Sequence, residues 1–558
     1  MTSDSLSRLD KDVLHLIFQE MLPGRSLREL SLTCKWLREA CSPVLFRKCS
    51  FRSILLDRSE VPEFIPPSSL WPYIQELEFF GFFSRRDLPK YKDEDYLYDD
   101  PDRILDPLRC LAAAKKLGQH AHDALTSMPC LRSVMMVIPI PDLYLDNPGI
   151  PWCVLAAILG APGLRSITLG GPMCHANDRL PPDAESALIS PLETFHYERL
   201  PNRSAPRYVP MERQVLNLVL NRVCGSLQRL ILPSEPAPLR AFEKWDWPML
   251  QEFSLCGERK KTSRPLVNIL RRMPRLRTLS LVLAEPAGSL PPPIWPSSSA
   301  TRCQLQDLEH LTVTHPNPDD ELYAHLPTTL RRLSLPCWPR YYIHHCILKE
   351  YMTEAGVRWA SPILTSSEIL HILKRSETPQ LTHLELEYRA DDDDAKLWRH
   401  IGSSYPLLTA LRIHRYRAHG ELEVPVDAIA RSLSLLRQLK LLMLHLDFTD
   451  LPDVTVCDDD RRAEVHTLPE RTRQLAQSEA TIAHAANVFA KTLSPSLECI
   501  CILRPLRHQQ NQWVTFNVVQ HTSDGEARAE PFETSNLRAR PHGYSIVYDD
   551  VTYDLALM

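Results

Sequence analysis

The sequence predicts an α/β chain: a short all-α module at the N-terminus, then a long irregular array of tandem repeats with parallel strands and outer helices. Three observations carry this. An amphipathic, leucine-rich helical pattern fills residues 5–50. A spaced apolar signature recurs from Ile74 to Ile502. Segments of helical period alternate with that signature, so strand and helix follow one another along the chain. The boundaries read as 5–50 for the helical module, 51–510 for the repeat array and 511–558 for capping strands and tail.

In the N-terminal module, Val13, Leu14, Ile17, Phe18 and Met21 lie at i, i+1, i+4, i+5 and i+8, forming one apolar helix face. Asp10 suits the N-cap of that helix, and Pro23-Gly24 stops it. A second apolar set follows at Leu27, Leu30, Cys34 and Leu37, again at helical spacing. Fifty residues are too few to bury all of these side chains by themselves. The module therefore calls for a partner surface, in the rest of the chain or in another protein.

These residues resemble an F-box, the helical module that docks a substrate receptor onto the Skp-type adaptor of a cullin–RING ubiquitin ligase. Leu9, Val13, Leu14, Ile17, Phe18, Met21, Leu27, Leu30, Cys34 and Lys35 match the family's positions. Asp10 stands where the family usually has proline, and Leu37 fills its usual tryptophan slot, with Trp36 one residue early. The resemblance implies adaptor contacts from Leu9, Val13, Leu14, Ile17, Phe18, Met21, Leu27, Leu30, Cys34 and Leu37. Each apolar anchor fully buried there would contribute about 1.5–3 kcal/mol before ordering costs.

The signature beyond residue 50 is apolar-x-x-apolar-x-apolar, the strand pattern of a leucine-rich repeat. It appears as Leu131/Val134/Met136, Leu164/Ile167/Leu169, Leu192/Phe195/Tyr197, Leu227/Leu230/Leu232 and Leu250/Phe253/Leu255. It continues as Leu276/Leu279/Leu281, Leu308/Leu311/Val313, Leu330/Leu333/Leu335, Leu381/Leu384/Leu386 and Leu408/Leu411/Ile413. Ile74/Leu77/Phe79 and Leu497/Ile500/Ile502 flank these, and one further unit reads as either Leu439/Leu442/Leu444 or Leu441/Leu444/Leu446. Between Leu131 and Leu330 the starts are 22 to 35 residues apart, around the roughly 20–29 of such repeats. Chance leucine patterning in an α/β enzyme would not hold one register through so many units. Units of this size cannot bury an apolar face singly, so they are expected to stack into a curved solenoid, or horseshoe. The wide gaps from Leu330 to Leu381 and from Leu439 to Leu497 hold a degenerate unit or an insertion. Helices are expected at Leu108–Leu125, Arg213–Cys224, Pro265–Met273, Ser366–Lys374, Val426–Leu436 and Ala480–Leu493.

The units are irregular. The asparagine that regular repeats place three residues after the last leucine is missing, with Glu258 and Trp338 in that slot in two units. Its absence leaves the turns to backbone contacts or proline. Irregular units directly behind an F-box-like segment resemble the arrays of fungal F-box proteins. The resemblance thus implies a non-catalytic substrate receptor, the adaptor at one end and a target protein on the repeats.

Target contacts are expected on the exposed strand positions. The residue between the last two apolar positions is Thr168, Ser254, Ser280, Thr312 and Ser334, then Glu385 and Arg412. The second motif position is Arg132, Arg165, Arg277 and Arg331 in four units. Together they suggest a hydroxyl-rich floor bordered by guanidinium groups, able to receive an acidic or phosphorylated peptide. The alternative is that Ser, Thr and Arg merely solvate exposed strands. Residues 85–107, Glu285–Arg302, Asp391–Asp394 and Asp458–Asp460 read as solvated surface loops. In the tail, Val514–Val519 and Tyr544–Tyr548 read as a capping hairpin that closes the end of the array.

Composition narrows the function classes. The chain has 64 Lys+Arg against 69 Asp+Glu, a net charge of −5, so it favours no bulk polyanion partner, and no basic stripe asks for nucleic acid. Glycine is scarce at 16 of 558 residues, against an average of about 7%, which leaves little for phosphate-cradling loops. No Walker, Rossmann, Gly-x-Ser-x-Gly or His-Glu-x-x-His motif appears. Cys337 with His344, His345 and Cys346 has only one compact arm, which argues against zinc, and Cys499 and Cys501 read as facing opposite sides of a strand. No cofactor or metal is expected. Without a signal peptide or an apolar membrane span, and with 15 scattered cysteines, the chain reads as a cytoplasmic or nuclear protein with reduced thiols. The rival readings are a repeat scaffold unconnected to a ligase, its N-terminal helices a mere cap, and an enzyme hidden in an insertion.

Overall fold

The computed structural model describes residues 9–21, 26–52, 66–80, 118–137, 149–174, 179–198, 209–259, 264–286, 291–298, 305–338, 340, 359–360, 362–449, 468–493, 495–504, 512–520 and 527–532. The Pro23-Gly24 stop, the loop at 85–107, His344–Cys346, Asp458–Asp460 and the Tyr544–Tyr548 patch lie outside them. The chain divides into two compact units, 1–250 and 251–558.

The first unit opens with helices α1 (Lys11–Met21), α2 (Ser26–Ser31) and α3 (Lys35–Leu45). Asp10 starts α1 as expected: its carboxylate accepts the Asp12 N–H at 2.8 Å and its carbonyl the Leu14 N–H at 3.0 Å. Cys34 caps α3, its Sγ accepting the Leu37 N–H at 3.5 Å. The helices close on a core of their own made by Leu14, Phe18, Leu27, Cys41 and Val44, with Met21, Leu30, Trp36 and Leu37 packed at its edge. Part of the apolar surface thus finds its partner inside the module.

Directly after α3, β1 (Lys48–Arg52) begins a parallel ladder with β2 (Glu76–Phe80), β3 (Ser133–Val137), β4 (Ser166–Gly170), β5 (Thr194–Glu198) and β6 (Arg229–Pro233). The first strand apolar positions align laterally as Leu77, Val134, Ile167, Phe195 and Leu230, and all are buried. A side chain placed against its counterpart in the next repeat loses its water on both flanks, which is why single units cannot stand alone. Residues 118–126, α4 (Trp152–Leu159) and α5 (Val209–Val223) are helical. The aliphatic Trp152–Leu159 run, buried nearly throughout, is a helix that sequence periodicity does not mark, because it has no polar face to reveal a period.

The second unit repeats the pattern with β7 (Glu252–Glu258), β8 (Thr278–Pro286), β9 (His310–Val313), β10 (Arg332–Leu335), β12 (His383–Arg389), β13 (Ala410–Tyr416), β14 (Leu441–His445) and β15 (Cys499–Arg504), all parallel. Its buried row runs Phe253, Leu279, Leu311, Leu333, Leu384, Leu411, Leu442 and Ile500. This selects Leu439/Leu442/Leu444 as the register of the ambiguous unit. Both wide gaps are insertions, since β10 pairs directly with β12 and β14 with β15. The first insertion includes β11 (Trp359–Ala360), antiparallel to the end of β8. Beyond β15, β16 (Gln512–Gln520) and β17 (Ala527–Pro531) add antiparallel strands, so the Val514–Val519 patch lies between β15 and 527–531.

Helices α6 (Ser366–Arg375), α7 (Asp394–Ser404), α8 (Val426–Leu433) and α9 (Leu468–Thr492) pack side by side in sequence order. The expected Pro265–Met273 helix is only the turn Val267–Leu270. A full capping box opens α6, with the Thr365 and Glu368 side chains each bonded to the other's backbone N–H. Asp391–Asp394 corrects an expectation: it is no solvated loop. Asp391 accepts the Ser367 N–H at 3.2 Å, while buried Asp394 accepts Tyr388 Oη and Arg415 Nε, both at 2.9 Å. Backbone and proline alone do not satisfy the turns either. Side chains do it: Glu212 takes the Met173 N–H at 3.0 Å, and the Thr314 hydroxyl accepts Leu283 N–H and donates to Leu283 O, each at 2.7 Å. No helix of the described residues is long and apolar enough to cross a membrane.

On α7, Gly402 faces the C-terminal end of α8, where a Cβ would collide with the Ser432 carbonyl oxygen. Gly402→Ala is expected to cost about 1–3 kcal/mol through overpacking, read as a lowered urea midpoint at unchanged m-value.

Candidate functional site

The strand face of the second unit collects the predicted side chains into lateral rows. Paired register places Ser254, Ser280, Thr312, Ser334, Glu385, Arg412, Met443, Cys501 and Thr515 in one line. The line begins with half-buried hydroxyls and becomes charged and closed at β12.

The closed part is an ion-pair network. Glu385 accepts the Ser334 hydroxyl and Arg340 Nη2, the latter at 2.8 Å, with Arg412 Nε 3.5 Å away. Glu387 accepts Arg340 Nη1 at 2.6 Å, Cys337 N–H at 2.9 Å and Tyr416 Oη at 2.8 Å. Arg412 donates to His414 Nε2 at 3.2 Å and lies over the Trp513 ring at 5.1 Å. His414 and His445 are neighbours in the next row, with ring centroids 5.8 Å apart. Burial alone would raise the Glu385 carboxyl, but Arg412 and Arg340 hold it down to about 2. Burial pushes the Glu387 carboxyl up against the pull of Arg340. Burial keeps His414 well below the usual imidazole range, with Arg340, Arg412 and His445 adding to it, and brings His445 to about 4. With both carboxylates claimed by a guanidinium, the network's role is to bind the stretch after β10 onto the strand face. The repeat pattern in the sequence reaches Glu385 and Arg412; Arg340 escapes it because it belongs to no repeat, and Glu387 because it follows the last apolar position of its unit, Leu386.

The four predicted arginines lie at the strand starts, where they serve the backbone. Each repeat's carbonyl at this position accepts two N–H groups from the next: Arg132 O takes Arg165 N and Ser166 N at 2.8 and 2.9 Å, and Arg277 O takes Glu309 N and His310 N at the same distances. Their side chains differ in use. Arg132 Nη1 donates to Gly163 O at 3.0 Å, Arg165 Nη1 to Pro191 O at 3.3 Å, and Arg277 sits 4.0 Å from Glu309. Arg331 makes no such bond among the described residues. Its neighbour Arg332, which the repeat motif does not single out because it lies on the strand itself, falls between His310 and His383 in register.

In the N-terminal module the predicted contacts divide. Leu14, Phe18 and Leu27 are interior at 6%, 3% and 1% exposure, so they hold the module together and are not presented to a partner. Leu9, Val13 and Ile17 are exposed, the last two at 44% and 41%, and Leu16 joins them at 62%. Met21, Leu30 and Leu37 are partly covered, and Cys34 is exposed. The helical period selects both sides of α1 at once; only packing separates them.

One chemical reading is corrected by geometry. Residues two apart on a strand share a face, so Cys499 and Cys501 lie together, with sulfurs 3.7 Å apart, and the expectation of opposite faces is corrected. Cys337 is buried with its N–H on Glu387. Among the described residues no group of three His, Cys, Asp or Glu is placed to hold a metal ion.

No family model matches this chain, and no curated protein matches it. Among solved structures it is similar to the crystal structure of the TLR13–ssRNA13 complex, at 12% identity and a TM-score of 0.28, over 68% of this chain. The chain spans 55% of that one. The repeat architecture is carried by strand register, not by this likeness.

Buried neutral histidines make the fold acid-sensitive. Where the folded value is depressed, the unfolded chain takes up the proton first, so stability falls as pH drops from about 6.5 towards the folded value. For His445 that window runs down to about 4, a loss on the order of 3 kcal/mol. Denaturant unfolding of His445→Gln should show a shallower slope over this window, by one proton at most. Arg340→Met leaves Glu387 buried without its cation and is expected to destabilise by about 3–5 kcal/mol, measured the same way.

Proposed function

We propose that this chain is a non-catalytic target receptor of a Skp–cullin–F-box ubiquitin ligase, joined to the Skp-type adaptor by its N-terminal helices and to a target protein by its strand face. The observation that carries the reading is α1, which keeps Leu14 and Phe18 for the module core while leaving Leu9, Val13, Leu16 and Ile17 open. An exposed apolar stripe on a helix whose other side is already packed is a surface in want of a partner. The F-box resemblance names the occupant, and the repeats behind it offer an extended, polar strand face for a second protein. Ubiquitin transfer would fall to the partner subunits. The repeat scaffold unconnected to a ligase is the competing reading, favoured by α3, which packs against the turn Ser68–Tyr73 as a cap would.

The test is co-purification of the full chain with a Skp-type adaptor, beside Val13→Asp/Ile17→Asp. Both substituted positions are exposed, so the variant keeps the module core. Stoichiometric capture by the native chain, lost in a variant with an unchanged thermal transition, is the expected result. Absence of capture by the native chain leaves the helices as a cap and hands the function to the scaffold reading.

A further inference from the structure

Among the arginines at the strand starts, two stand apart. Arg331 and Arg332 make no side-chain hydrogen bond or ion pair among the described residues, whereas Arg132, Arg165 and Arg277 each face a carbonyl or a carboxylate of the next repeat. The carboxylates near them are already engaged. Glu309 lies beside Arg277, and Glu385 is shared by Ser334, Arg340 and Arg412.

Register builds the surroundings. Arg332 on β10 is flanked by His310 on β9 and His383 on β12, with Thr278 next in the same row. His310 Nδ1 lies 3.3 Å from the Thr278 hydroxyl and His383 Nδ1 lies 2.9 Å from that of Thr382. Two residues further along β8, β9 and β10 comes the hydroxyl row of Ser280, Thr312 and Ser334, with Glu385 in the same row on β12. Arg332, both histidines and these hydroxyls are half-buried, and strands about 4.8 Å apart bring the row within the span of a short peptide. The local field is positive: burial and then the Arg332 charge lower both imidazoles, His383 to about 4.

We propose that Arg332, with Arg331, His310 and His383, forms an anion-recognition patch on β9, β10 and β12 that receives an oxyanion-bearing segment of the target polypeptide, the neighbouring hydroxyls bonding its backbone. The proposal rests on the receptor reading above and names the chemistry of its target. Charge complementarity selects the occupant: a guanidinium fork with no partner among the described residues pairs with carboxylate or phosphate in bidentate fashion. The chain's overall charge of −5 opposes an extended nucleic-acid polyanion and leaves this local cationic patch for a peptide anion.

The experiment measures fluorescence anisotropy of two labelled peptides on the full chain: hexaglutamate, and a phosphoserine peptide otherwise without charge. At least one is expected to bind, weakening as salt rises. Arg332→Gln should weaken it at least tenfold, and Arg431→Gln, the same charge change at an exposed position of α8, should leave it unchanged. Tighter binding of hexaglutamate assigns the anion to a carboxylate run, and of the other peptide to a phosphorylated hydroxyl. Binding of neither peptide, or equal binding by Arg332→Gln, overturns the proposal. Adaptor capture by the native chain, run in parallel, separates this outcome from failure of the receptor reading: capture by a native chain that binds neither peptide rejects the patch alone.

Discussion

One backbone contact recurs through both units, and the rest of the molecule hangs on it. At the start of each strand a single carbonyl accepts two successive N–H groups of the next repeat. The first unit runs through Gln75, Arg132, Arg165 and Glu193, the second through Gln251, Arg277, Glu309, Arg331, Thr382, Thr409 and Lys440. Because the backbone makes this bond, the side chain at the position carries no pairing duty. That explains how Gln, Arg, Glu, Thr and Lys all occupy it. It also fixes register, since a strand slipped by one residue would turn every leucine to the opposite face.

Fixed register is what turns scattered sequence positions into surfaces. It lines up Ser280, Thr312 and Ser334, and it delivers Glu385 and Arg412 side by side to the network around Arg340. Near β12–β14 the face is therefore closed by ion pairs whose parts stabilise each other only together. Around β9 and β10 the Arg331 and Arg332 side chains make no hydrogen bond or ion pair among the described residues. The closed part of the face begins where Glu385 and Glu387 meet Arg340 and Arg412.

The N-terminal module divides its surface in a related way. A helix too short to be stable alone gains its order from the side that packs on α2 and α3 and leaves its other side exposed. Leu14 and Phe18 against Val13 and Ile17 is that division along a single helix. Capping by Asp10 and Cys34 settles the ends of α1 and α3 without help from the repeats.

By itself, the sequence determined what depends on local period. The two-residue alternation of the strands, the helical period of α1, α6 and α8, and the mixed α/β class are all legible because side-chain direction repeats every two or every 3.6 residues. Helices Trp152–Leu159 and Asp394–Ser404 escaped, the first for want of a polar face and the second behind an acidic run whose anchors, Ser367, Tyr388 and Arg415, come from other elements. Tertiary structure alone decided which side of α1 is core, that Cys499 and Cys501 meet, that Arg340 closes one end of the face, and that Arg332 stands between two histidines. Each of these depends on packing or on partners distant in the chain, and no local period records them.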